Sequence, residues 1–115
     1  PPISTFYNAA EFYGVLGHEA AHATGHKSRL DRFEKFQNRK DYAFEELVAE
    51  IATCILGAEF GFKPDFEQSA AYIEGWLSAL NDDHSVIFKA ASEAQKAVDF
   101  IKTKASEVTV DEVAA

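Results

Sequence analysis

The chain has one cysteine, Cys54, no methionine and only three prolines among its 115 residues. A lone cysteine excludes a disulfide framework within the chain, and a reduced, cytoplasmic setting is expected. No apolar run approaches the ~18 residues that a membrane span needs. The start, Pro1-Pro2-Ile3, has no basic stretch leading into an apolar one, so no secretory leader is visible. An initiator methionine is missing, as expected for a piece of something longer. Positive charge is also scarce, with 11 Lys and Arg against 19 Asp and Glu and a net charge of −8. That balance argues against strong nucleic-acid binding by this piece alone.

Apolar bulk is plentiful. Hydrophobic residues make up 47% of the chain and include ten Phe, four Tyr and one Trp, enough for the core of one small domain spanning residues 1–115. The few cations are unevenly placed: Lys27, Arg29, Arg32, Lys35, Arg39 and Lys40 all fall between positions 26 and 40. Such a run reads either as a solvated surface loop or as a local patch for an anionic partner.

The pattern predicts a mainly α fold of about four helices with little or no sheet. The first helix follows Asn8-Ala9-Ala10-Glu11, a variant capping box with Tyr7 and Phe12 as a staple, and stops near Gly25, read as a C′ residue. Gly14 and Gly17 within it could let another backbone come close. Positions 26 to 40 are aperiodic and read as a loop, with a short helical turn around Leu30 to Phe36. A second helix follows Asp41, carries Leu47, Val48, Ile51, Ile55 and Leu56 at three- and four-residue spacing, and ends at Gly61. Pro64 breaks the chain and Asp65 caps a third helix from Phe66 to Leu80, with Tyr72, Ile73, Trp76, Leu77 and Leu80 facing inward. Asn81-Asp82-Asp83 turns the chain into a long fourth helix through Val86, Ile87, Ala90, Ala94, Ala97, Val98 and Ile101. The residues from about Lys104 are expected to fray. No repeat or interior linker divides the chain.

The chemistry-bearing motif is His18-Glu19-Ala20-Ala21-His22. Residues four apart on a helix share a face, with Cβ atoms about 6 Å apart, so both imidazoles can reach one zinc ion. Glu19, beside His18, is placed to hold a water and act as general base rather than as a third ligand. A third ligand is still required. A metzincin would place a His at the position of Ser28, and His26 comes two residues early, so that pattern fails. A Glu-ligand site fits instead, with Glu46 as ligand and Glu50, four residues on, orienting His18 or His22. Glu45, about 100° away on the helix, is the nearest rival ligand, and Asp31 a weaker one. Tyr42, Tyr72 and His84 are the candidate donors to an oxyanion.

Phe12 through His26, Ser28 to Arg32, Tyr42 to Glu50, Ala70 to Ile73, Trp76-Leu77, Leu80, Asp82-Asp83 and Ile87 to Ala91 together resemble the C-terminal domain of ArdC-type antirestriction proteins and of related TraC-type plasmid primases. The resemblance runs from about residue 5 to 101. It implies a zincin-like metallopeptidase fold whose site matches His18, Glu19, His22 and the Glu45-Glu46 helix. It also implies a mobile-element protein of the bacterial cytoplasm, with single-stranded DNA bound by a separate N-terminal domain absent from this piece. A strand that would usually run just before Pro1 is absent as well. Ala23 departs from the pattern, since relatives often carry an aromatic residue there. Two functions are therefore expected to compete. One is zinc-dependent hydrolysis of a protein or peptide bond, linked to antirestriction or DNA transfer. The other is an antirestriction or DNA-associated binding module with a structural or vestigial metal site.

Overall fold

The computed structural model describes residues 9–33, 38–63, 66–81 and 83–114. Among the described residues four helices make up the fold: α1 (Ala9–Ala23), α2 (Arg39–Phe60), α3 (Phe66–Ala79) and α4 (Ser85–Ala114). No strand occurs among the described residues, in agreement with the mainly α expectation. The Asn8 cap with its Tyr7 staple, the Asp65 cap, the Asp82 turn residue and the stretch 34–37 lie outside the described residues.

Helix α2 is the central element and packs against the other three. It begins two residues before Asp41, because extended Asn38 accepts the Asp41 backbone N–H on its side chain at 3.0 Å. It ends where Gly61 turns left-handed (φ 79°) and its N–H bonds to the Gly57 carbonyl. Only a residue without Cβ adopts that φ at little cost.

The shared core follows from the side chains at these faces. Ala43, Ala49 and Ala52 of α2 and Ala90, Ala94 and Ala97 of α4 are fully buried, so the helices can approach closely. Leu47, Val48 and Val98 fill the remaining space. Ile51, Ile55, Ile73, Trp76, Leu80, Val86, Ile87 and Ile101 pack around that centre half-buried. Four local expectations are corrected. Tyr72 faces solvent, half exposed, because it lies on the flank of α3 away from Leu77. Gly25 does not take a left-handed φ; it leaves room for the Phe33 ring instead. Gly14 and Gly17 admit no second backbone: Gly14 faces open space, and the nearest atom to a Cβ on Gly17 is Leu56 Cδ1, at 3.4 Å. Finally, α4 continues as helix to Ala114 rather than fraying from Lys104.

Candidate metal centre

The site forms where α1 crosses α2. His18 and His22 share one face of α1, and Glu46 and Glu50 share one face of α2, each pair one turn apart. The His18 and His22 Nε2 atoms lie 3.0 Å apart. Each faces one oxygen of Glu46, at 3.2 Å from His18 and 3.1 Å from His22. One donor atom from each of the three residues therefore falls in a small, half-buried cluster, with all such atoms within 4.8 Å of one another.

The far side of each ring is also held. His18 Nδ1 lies 3.2 Å from Glu50 Oε1, and His22 Nδ1 lies 2.9 Å from Glu45 Oε2. An ionised carboxylate only accepts hydrogen bonds, so both Nδ1 atoms carry the proton and donate it. The two Nε2 atoms and both Glu46 oxygens therefore converge, and with the imidazoles neutral all four can face one cation. The separation of the two imidazole nitrogens, 3.0 Å, and the contact of each with its own Glu46 oxygen lie near the ~3.3 Å between two ligand atoms of a tetrahedral zinc with bonds near 2.05 Å. The residues present fit a divalent ion.

Carboxylates surround the two imidazoles. The hydrogen bond to Glu50 raises the His18 pKa, and burial only partly opposes it; the charges of Glu50, Glu46 and Glu19 add to the rise. Burial alone would raise the Glu45 carboxyl, but hydrogen bonds and charge from His22 and Arg32 outweigh it and hold Glu45 below its ordinary range. The Tyr42 hydroxyl is raised by the charge of Glu46, by burial and by a hydrogen bond to the same carboxylate. Its ring meets Trp76 edge-on, with centroids 5.5 Å apart.

The sequence candidates separate accordingly. His18, His22, Glu46 and Glu50 come together, Tyr42 touches Glu46, and Glu19 stands exposed on α1 beside His18. Glu45 lies behind His22, with both oxygens engaged by hydrogen bonds. Tyr72 receives a long hydrogen bond from Gln68, and His84 acts on Asp83 through its charge; neither contact involves the cluster. Asp31 is exposed in a left-handed turn (φ 52°). His26 turns to Ser28, 2.9 Å away. Burial raises the Cys54 thiol, so it stays protonated at neutral pH and is a poor nucleophile.

Sequence reasoning missed Arg32, which it counted with the basic loop. Its side chain is 7% exposed and pairs with Glu45. Its one sequence signal was membership of the Ser28 to Arg32 stretch, because charge alone grouped it with the loop cations and its partner Glu45 lies 13 residues on.

A family model described as a zincin-like metallopeptidase matches residues 1–93. The chain belongs to that family. Two DNA primase TraC proteins of Escherichia coli are 45% and 41% identical over 102 residues, which cover 88% of this chain but only 10% and 7% of those proteins. An uncharacterized protein, y4eC, of Sinorhizobium fredii is 37% identical over 119 residues, covering 98% of this chain and 38% of that protein. The antirestriction protein ArdC from the R388 plasmid superposes in its Mn(II)-bound form with a TM-score of 0.73 at 62% identity, covering 90% of this chain. Its metal-free form gives 0.76 at 61%, covering 93%. The chain spans 39% of ArdC in both. This zincin-like family member thus corresponds to a minor part of each longer relative.

Proposed function

We propose that this zincin-like unit is a zinc-dependent hydrolase of peptide bonds, with His18, His22 and Glu46 as metal ligands and Glu19 as general base. The convergence of two imidazole nitrogens and one carboxylate carries this reading. The Mn(II) bound by ArdC supports a divalent ion for this chain, and the N₂O donor set suits zinc as well as manganese.

When bound, the ion supplies Lewis acidity, making a water more acidic and polarising the scissile carbonyl. The chain's own residues do the rest. Glu50 and Glu45 keep the two Nε2 lone pairs turned inward. Glu19 takes the proton from the attacking water and passes it to the leaving amine. Of the three candidate oxyanion donors, Tyr42 alone lies beside the cluster, and we assign it that task, its single O–H turning from Glu46 to the oxyanion. In keeping with the names of its relatives, we place the activity in antirestriction or plasmid DNA transfer in the bacterial cytoplasm. Single-stranded DNA would then be engaged elsewhere in a longer protein.

Glu19→Gln tests the assignment. Zinc-loaded wild type and variant would be incubated with a proteome-derived peptide library and the new termini read by mass spectrometry. Wild type should cut, and the variant should lose at least 100-fold in rate with its zinc content unchanged. Equal cutting by both, or a variant that loses zinc, would reject Glu19 as the base.

A further inference from the structure

Arg32 makes four hydrogen bonds from a nearly buried position. Its Nε donates to Glu45 Oε1 at 2.8 Å, and one terminal nitrogen donates to Glu45 Oε2 at 3.1 Å, a two-point grip on a single carboxylate. The same nitrogen donates to the Ala21 carbonyl at 2.8 Å, and the other terminal nitrogen to Thr24 Oγ1 at 2.9 Å. Ala21 and Thr24 flank His22 at the end of α1. The guanidinium therefore joins the turn that carries His22 to the carboxylate that holds His22 Nδ1 at 2.9 Å.

The loop is folded to deliver this side chain. Leu30 N–H donates to the Thr24 carbonyl, and Arg32 N–H donates to the Gly25 carbonyl, closing residues 24–32 on themselves. Arg29 donates to the Ala23 carbonyl from the exposed side. Phe33 then lies over Gly25 so closely that a Cβ there would stand 2.6 Å from the ring.

We propose that Arg32 is a positioning residue for the metal centre: by gripping Glu45 at two points, it fixes the orientation and tautomer of His22. This proposal rests on the reading of His22 as a ligand. Arg32 touches neither the cluster of donor atoms nor a substrate, and it acts only through Glu45. A lysine carries the same charge but offers a point rather than a fork, so it cannot hold both oxygens and the two α1 acceptors together.

The test uses the full chain with Arg32→Lys, with Arg29→Lys as the control in the same loop. In metal-free protein, ¹⁵N chemical shifts of the His22 ring report its tautomer. Wild type and Arg29→Lys should show Nδ1–H, whereas Arg32→Lys should show a mixture. Zinc affinity should fall about ten- to hundredfold in Arg32→Lys and hold in Arg29→Lys. In a Glu45→Gln background, Arg32→Lys should add little further loss. If Arg32→Lys proves unfolded, Thr24→Val loosens one arm of the grip at nearly constant volume, and a smaller shift of tautomer and affinity is expected. A folded Arg32→Lys with wild-type tautomer and affinity, merely less heat-stable, would overturn the proposal. So would an unchanged tautomer and affinity in Thr24→Val. The tautomer comparison needs no metal, so Arg32 can be judged even if the wild-type chain takes up no zinc.

Discussion

Gly25 and Glu45 show how much of the site depends on single residues outside the motif. A Cβ on Gly25 would stand 2.6 and 2.8 Å from two atoms of the Phe33 ring, so the ring or the turn must move. Gly25→Ala should therefore destabilise the fold by about 1–3 kcal/mol, read as a lower denaturant midpoint at unchanged slope. An unshifted midpoint would show that Phe33 swings away freely. Glu45 has a pH signature. Its folded pKa lies below the ordinary 4.5, the hydrogen bonds of His22 and Arg32 having overcome burial. A depressed carboxyl stabilises the fold above its unfolded pKa and loses that contribution as pH falls through the folded value. With chelator present, wild type should therefore lose stability in the acid range below about pH 4.5, and Glu45→Gln should show a shallower loss there. Parallel curves would contradict the ion pair.

The helices themselves were legible because local periodicity encodes them. The three- and four-residue spacing from Leu47 to Leu56 and from Ala90 to Ile101 marks the faces that α2 and α4 bury. The 18/22 and 46/50 spacings likewise set both pairs of site residues on helix faces. What stayed hidden arises between elements. In sequence Glu45 reads as a rival ligand, and its direction, ~100° from Glu46, gives no hint of the contacts it makes with His22 and Arg32. Arg32 and Glu45 are 13 residues apart, and His22 and Glu45 are 23 apart, so no helical repeat relates them. The role of Gly25 is hidden for a similar reason, since the approach of Phe33 is a tertiary event. The close packing of α4 on α2 gives a test at this scale. Ala94 is fully buried, and Ala94→Leu should cost about 1–3 kcal/mol by overpacking, measured by thermal or chemical unfolding. A neutral result would mean that the helices are not closely packed there.

At the scale of the whole molecule, charge and family point the same way. The net charge is −8, and Arg32, one of the six loop cations, is committed to an internal ion pair with Glu45. What remains of the basic stretch is a weaker lure for a polyanion than composition alone suggested. No described helix is long and apolar enough to cross a membrane. The zincin-like family and the likeness to Mn(II)-bound ArdC accord with a metal site in this chain. His18, His22 and Glu46 are proposed to hold one divalent ion. The direct measurement is zinc per chain, by elemental analysis after dialysis, for wild type, Glu46→Ala and Glu45→Ala. About one zinc is expected in wild type, close to none in Glu46→Ala, and a weakened but present zinc in Glu45→Ala. No zinc in wild type, or full zinc in Glu46→Ala with loss in Glu45→Ala, would contradict it.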